Sequence, residues 1–207
     1  APAFLTVSST ALSFSENSSA VSVDNALTLV GDDAQTATGA TVSVNAIQTG
    51  DVLAFTDTTD ITGNFDAVSG TLTLAGTAPL ADYQTALRTV TYVNNEDSPS
   101  TLARQLDFTV VTDGETLTGS RALTVIISDD APTIALNNSN RTFTTAGLPL
   151  LVDNQLTVAD VDSAQLTEAT VAITQGFVTG EDVLTVTNEN GITGTFDPAT
   201  AVLTLTP

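Results

Sequence analysis

Apolar side chains alternate with threonine, serine and aspartate along most of the chain, the period-two pattern of half-buried strands. The stretches "ATVSVNA" (40–46), "DVLAFT" (51–56), "GTLTLAG" (70–76), "RTVTYVN" (88–94), "RQLDFTVVT" (104–112) and "SRALTVIIS" (120–128) all show it. Each is rich in the β-branched and aromatic residues that suit a pleated surface. Glycine, asparagine and aspartate punctuate them in "TGNFDAVSGT", "NNEDSPS" and "TDGET", which read as turns. One segment departs from this period. In "APLADYQTALRTV" (78–90), Leu80, Tyr83 and Leu87 recur at helical spacing, with Pro79 at the helix start and Asp82 in the first turn.

The pattern also repeats. "DNALTLVGDDAQTATGATVSV" (24–44) aligns with "DNQLTVADVDSAQLTEATVAI" (153–173) at 9 of 21 positions, an offset of 129 residues (153 less 24). "ITGNFDAVSGTLTL" (61–74) aligns with "ITGTFDPATAVLTL" (192–205) at 8 of 14, an offset of 131 (192 less 61). The two extra residues fall between "IQTGDV" and "GFVTGEDV", where a hairpin loop lengthens at little cost. Ala1-Pro2 also matches Ala131-Pro132, Phe14 matches Phe143, and Val23-Asp24 matches Val152-Asp153. The chain therefore reads as one complete unit, 1–129, and a second, C-terminally incomplete one, 130–207, which stops at "LTLTP". The opening "APAFLTV" reads as the interior of something longer. About seven short strands and one short helix per unit point to an all-β fold: tandem Greek-key β-sandwich repeats of cadherin or immunoglobulin type. Tandem units of this kind are expected to stack lengthwise.

Composition narrows the function. The 207 residues carry 24 acidic and 4 basic side chains, a formal net charge of -20, with no Cys, His, Trp or Met. The basic residues are Arg88, Arg104, Arg121 and Arg141, and lysine is absent. Such a chain repels phosphate backbones and anionic lipid, so nucleic acid and membrane surfaces are not expected partners. No apolar run reaches the length of a membrane span. Imidazole bases, thiolates, disulfides and soft-metal sites are excluded by composition. Catalysis would need a carboxylate pair in a cleft, but the acids sit mostly at predicted turns and sandwich repeats are expected to lack deep clefts. The chain is not expected to be an enzyme.

Five of the acids are expected to gather where the units join. "VIISDDAPTI" (125–134) ends a strand with Asp129 and Asp130 before Pro132, which stiffens the junction. Asp160 and Asp162, in "ADVDS", lie on an early loop of the second unit, and Glu16, in "FSENSS", follows the first strand of the first. Asp-x-Asp turns two carboxylates to one side of an extended backbone. Five carboxylates at one joint would repel one another without a cation, and calcium takes six to eight oxygens.

These features carry a resemblance. The "DDAP" linker, the glutamate after the first strand and "DVDS" after "LTV" resemble cadherin-like repeats. "GDVLAF", "ITGNFDAVSGTLTL", "APLADYQTALRTVTY" and "FTVVTDGE" look like the tandem cadherin-like repeats of very large bacterial surface adhesins, and "YQTALRTVTYVNNED" is similar to chondroitin-sulfate-proteoglycan-type repeats. The resemblance spans essentially the whole chain and rests on the order of short motifs. It implies Ca2+ at the joints, held at the interior one by Glu16, Asp129, Asp130, Asp160 and Asp162. At the joint before the first unit it implies Asp32, Asp33 and Asp113. "GDDAQ" there departs from Asp-x-Asp, so weaker or different binding is expected, and Thr145 stands where the first unit has Glu16.

The function so implied is structural and adhesive. The chain would be part of a long secreted protein of the bacterial cell surface, stiffened by calcium and serving cell adhesion or cell–cell and biofilm association. Its partners would be adjacent repeats, identical chains, or an extracellular glycan or protein. The alternatives are a carbohydrate- or protein-binding sandwich module, and a strand-exchanging subunit of an extracellular filament. Other features have plainer readings. Glu181, Asp182 and Glu189 read as a polar hairpin, Asp97 as a turn, Asp24 and Asp153 as turn openers, and Tyr83 and Tyr92 as core rather than a sugar platform. Glycosylation sequons begin at Asn17, Asn137 and Asn140, and arise by chance in so Ser/Thr-rich a chain.

Overall fold

The computed structural model describes residues 2–137, 140–144 and 147–207. Ala1 and Thr145, both used above, lie outside the described residues, as does Ser139 of the Asn137 sequon. The chain divides into two compact units, Ala1–Asp129 and Asp130–Pro207, and is mostly β.

Unit 1 runs β1 (Phe4–Thr6), β2 (Leu12–Ser15), β3 (Val21–Ser22), β4 (Thr28–Val30), β5 (Thr36–Asn45), β6 (Asp51–Ala54), β7 (Thr62–Asp66), β8 (Thr71–Pro79), α1 (Leu80–Thr89), β9 (Thr91–Asn94), β10 (Arg104–Thr112) and β11 (Thr116–Ile126). These make a six-stranded sheet, β2-β11-β10-β5-β8-β7, a three-stranded sheet, β3-β9-β6, and the pair β1-β4. All neighbours are antiparallel except β2, which runs parallel to β11. The strand count exceeds the seven expected. β7 lies in a stretch read as a turn, and β1, β3 and β4 are too short to show an alternation. Arg88 and Thr89, read as the start of a strand, instead complete α1, which Val90 ends with an extended backbone (φ -60, ψ 133).

Alternation translates directly into burial. On β10, Arg104, Leu106, Phe108, Val110 and Thr112 point inward and are buried, and on β5 Ala37, Ala40, Val42 and Val44 do the same. They join Phe14, Leu53, Leu72, Leu74 and Tyr92 in one core, capped by Leu80, Tyr83, Ala86 and Leu87 of α1. Phe14 of the larger sheet meets Tyr92 of the smaller edge-on, with ring centroids 5.3 Å apart. Both tyrosines are fully buried.

An ion pair is embedded in this core. Arg104 Nε donates to Asp51 Oδ2 at 2.7 Å, with both side chains fully buried. Tyr92 Oη (2.6 Å) and Asn94 Nδ2 (2.8 Å) donate to Asp51 Oδ1, and the Gln48 N–H donates to Oδ2 (2.8 Å). Burial, and then the Asp51 hydrogen bond, push the Tyr92 hydroxyl far above its usual pKa. Arg104 Nη1 also donates to the carbonyls of Ser100 and Leu102 (2.8 and 3.0 Å), tying the 95–103 loop to the core.

Unit 2 holds β12 (Thr133–Ala135), β13 (Thr157–Ala159), β14 (Ala169–Ala172), β15 (Thr193–Asp197) and β16 (Val202–Thr206). Their pairings coincide with those of unit 1 at the offsets found in sequence. Thr133 pairs Ala159 as Phe4 pairs Val30, and Ala169 pairs Leu205 as Ala40 pairs Leu74. Thr193 pairs Thr206 as Thr62 pairs Ala75. The sheet order β14-β16-β15 corresponds to β5-β8-β7. Among the described residues, unit 2 has no helix and no strand at the positions of β2, β3 or β6. In unit 1 those three strands pair only with β9 or β11, which have no counterpart in unit 2. A strand-like sequence without a partner does not become a strand.

Two substitutions test this account. Arg104→Gln strands the Asp51 carboxylate in the core, and denaturant unfolding is expected to show unit 1 destabilised by about 3–5 kcal/mol; a change under about 1 kcal/mol would mean the pair is not closed. Gly76 has φ +138, and a Cβ there would lie 1.9 Å from the Asp60 carbonyl oxygen. Gly76→Ala is therefore expected to lower the thermal midpoint of unit 1 by several degrees, at a cost of at least about 2 kcal/mol.

Candidate functional site

Glu16 follows β2 because that strand is held against β11. Its N–H donates to the Ile126 carbonyl (2.9 Å), and its Oε2 accepts the Ser128 N–H (2.8 Å). The next residue, Asn17, turns the chain away in the left-handed region (φ 59). Glu16 is only 5% exposed, and among the described residues its Oε1 is enclosed without a hydrogen-bond donor. Asp129, also in unit 1, is exposed.

In unit 2 the loop after β13 is built by its own aspartates. Asp160 Oδ1 accepts the N–H groups of Asp162 (3.3 Å) and Ser163 (2.8 Å), and Asp162 Oδ2 accepts the Asp130 N–H (3.0 Å). The Asp130 N–H, above all, holds the Asp162 carboxyl below the usual carboxylate range. Asp162 Oδ1 is enclosed and, among the described residues, has no hydrogen-bond donor. Each unit thus presents a carboxylate with one oxygen hydrogen-bonded to a backbone N–H and the other enclosed. An enclosed anionic oxygen without a donor is costly unless a cation meets it. Both are hard oxygen ligands, the class that calcium takes. Among the described residues, no three acidic side chains converge closely enough to hold a metal by themselves.

The second set lies wholly on unit 1. Asp32 and Asp33 are exposed on the β4–β5 loop, which Gln35 closes by donating its N–H to the Asp32 carbonyl (2.9 Å). Asp113, on the β10–β11 turn, accepts from Thr36 Oγ1 at 3.5 Å, so this turn touches the start of β5. Glu115, not singled out from the sequence, joins the same turn and accepts the Ala3 N–H through Oε2 (3.2 Å). Asp24 and Asp153 prove to be matching clamps. Asp24 is fully buried and accepts from the Ser8 N–H and hydroxyl and the Ala26 N–H (2.6, 2.7 and 3.1 Å). Asp153 accepts the N–H groups of Asn137 and Gln155, both at 2.8 Å. Asp182, read as part of a polar hairpin, accepts the Val178 N–H through Oδ2 (2.8 Å) and also lines a cavity of about 520 Å³ in unit 2.

The chain is similar to part of halomucin. The match to this protein of Haloquadratum walsbyi is 36% identical over 119 residues and covers 53% of the chain but 1% of halomucin, which is therefore a very large protein. No protein-family model matches the chain, and no solved structure matches it. Among the described residues no helix is long and apolar enough to cross a membrane. The halomucin likeness thus concerns one small portion of a giant chain, and says nothing by itself about the enclosed carboxylate oxygens.

Asp162 gives a pH prediction. The Asp162 carboxyl pKa is lowered in the folded chain, so its contribution to the loop after β13 is complete above the unfolded value near 3.9. That contribution is lost as pH falls through the lowered folded value. A carboxyl-detected NMR titration is expected to place Asp162 below 3.8, and Asp162→Ala to loosen the Asp130 amide. Titration at or above 3.8 would show that the Asp130–Asp162 bond is not formed in solution.

Proposed function

We propose that the chain is a structural and adhesive repeat region of a large extracellular surface protein, non-catalytic itself and ordered by calcium. The observation that carries this is the pair of enclosed carboxylate oxygens, Glu16 Oε1 and Asp162 Oδ1. They belong to residues that resemblance to cadherin-like repeats assigns to calcium, in a chain with no lysine. The proposed ligands are Glu16, Asp129, Asp130, Asp160 and Asp162, with Asp32, Asp33 and Asp113 as a weaker second set. Pairings shared between the units support the reading of the chain as tandem sandwich repeats. The likeness to halomucin, a large surface protein, supports an extracellular or surface location.

Calcium in this role acts through linkage. A ligand that binds only the ordered form stabilises it by about 2.7 kcal/mol at a hundredfold excess over its dissociation constant. Low calcium leaves the 128–133 segment loose, and millimolar calcium orders it.

Titration calorimetry after exhaustive chelation is expected to show saturable calcium binding near or below millimolar, lost in Asp130→Asn/Asp162→Asn. Limited proteolysis within 128–133 is expected to slow severalfold with calcium. Equal cleavage with calcium and with chelator, together with a flat calorimetric trace, would remove calcium from the proposal and leave "SDDAP" as a proline hinge.

A further inference from the structure

Asn190 is followed by glycine, as no other asparagine of the chain is. The pair forms the tip of a turn leading into β15. Ile192 donates its N–H to the Glu189 carbonyl (2.8 Å), and the two residues bridge across the tip. Both tip residues lie in the left-handed region, Asn190 at φ 53 and Gly191 at φ 85. A two-residue hairpin turn asks for this at both central positions, and Asn-Gly meets it at least cost. The turn therefore accounts for the choice of residues. The same choice gives Asn190 a reactivity that the other asparagines do not share to the same degree.

That reactivity depends on access to the Gly191 nitrogen. Glycine has no Cβ to shield it, and a Cβ built on Gly191 would meet no heavy atom within 4 Å. Asn190 and Gly191 are both exposed. Their exposure is a property of the repeat. At the offset of 131 (188 less 57), residues 188–194 correspond to 57–63. Asn188 Oδ1 accepts the Gly194 N–H (3.3 Å) as Asp57 Oδ1 accepts that of Gly63 (2.8 Å). In unit 1, Thr59 and Asp60 stand at the corresponding tip and are exposed as well. The loop is thus the same device in both units, and unit 2 places the labile pair on it. Local opening of such a tip, held by the Ile192 N–H and the longer Asn188 bond, frees the Gly191 nitrogen to swing towards the Asn190 carboxamide.

We infer that Asn190 is a site of spontaneous covalent modification, deamidation through a cyclic imide. The Gly191 nitrogen gives its proton to solvent and attacks Asn190 Cγ, forming an N–Cγ bond. The Cγ–Nδ2 bond breaks, and Nδ2 takes a proton and leaves as ammonia. Water then opens the imide. Breaking the N–Cγ bond leaves aspartate in an ordinary backbone. Breaking the bond from the same nitrogen to the Asn190 main-chain carbonyl carbon leaves isoaspartate, with the chain routed through the former side chain. The net change consumes water and releases ammonia, with no oxidant or enzyme. Either product adds a negative charge to the tip. Isoaspartate also lengthens the backbone inside a two-residue turn, so Glu189 and Ile192 no longer oppose each other. The site is independent of the calcium reading and stands whether or not the acidic loops bind metal.

The test incubates the whole 207-residue chain at mildly alkaline pH and follows each asparagine by peptide mass spectrometry, with isoaspartyl methyltransferase labelling of the products. Asn190 is expected to convert at least about tenfold faster than any other asparagine, and Gly191→Ala to slow it at least about tenfold by shielding the nitrogen. Because alanine strains a residue at φ 85, Asn190→Gln serves as a second variant that keeps Gly191, and it is expected to lose the label at this site. Asn190 left intact after other asparagines have converted overturns the proposal, as does an equal rate in Gly191→Ala or a label that persists in Asn190→Gln. In the isoaspartate fraction, hydrogen exchange at the Gly194 amide is expected to quicken severalfold. Unchanged exchange there overturns the loss of register.

Discussion

Unit 1 depends on β10. This strand pairs β5 on one edge and β11 on the other, and through β11 it secures β2. Its inward side chains supply Leu106, Phe108 and Val110 to the core, and its first residue supplies the arginine that neutralises Asp51. Backbone pairing and core filling therefore come from the same nine residues. The buried ion pair adds little net stability over an apolar replacement, but it couples β6, β9, β10 and the 95–103 loop in one arrangement. Asp51 cannot be buried without Arg104, and Arg104 arrives only when β10 is in register.

Unit 2 shows the same constraint by contrast. β12 to β16 form where their partners lie within residues 130–207, with the registers that unit 1 uses. Segments equivalent to β2, β3 and β6 keep apolar residues at Phe143, Leu150, Val183 and Leu184, with Arg141 in place of Leu12, but not their strand geometry, because pairing is a non-local bond and alternation alone does not supply it. Of the apolar side chains on the surface there, Phe143, Leu150 and Val152 line one cavity, a different matter from single exposed hydrophobics.

The charge of the chain meets this framework at the loops. Most of its acids are solvated or saturated by nearby N–H groups. Asp66 and Asp197, for example, each accept the N–H two residues on and a hydroxyl three residues on, closing matching turns. Glu16 and Asp162 stand apart because, among the described residues, each has one oxygen enclosed without a donor. Repulsion in a chain of net charge -20 is spread over the surface, but these two oxygens concentrate the electrostatic cost at particular atoms.

Local pattern by itself determined much of this protein. Residues 104–112 were legible as a strand to the residue, Pro79 as the start of the helix and Tyr83 and Tyr92 as core, and the pairings of unit 2 lie at the sequence offsets from those of unit 1. These signals lie within a few residues of one another, or in self-similarity. The burial of Glu16, the clamp made by Asp24 and the pairing of Asp51 with Arg104 were not legible. Each joins residues far apart in sequence, and an acid in a turn looks the same whether water or an arginine awaits it. Tertiary structure alone decided which acids are enclosed, and which strand-like segments find partners. Alternation states which face a side chain takes, but only the folded sheet states what lies opposite.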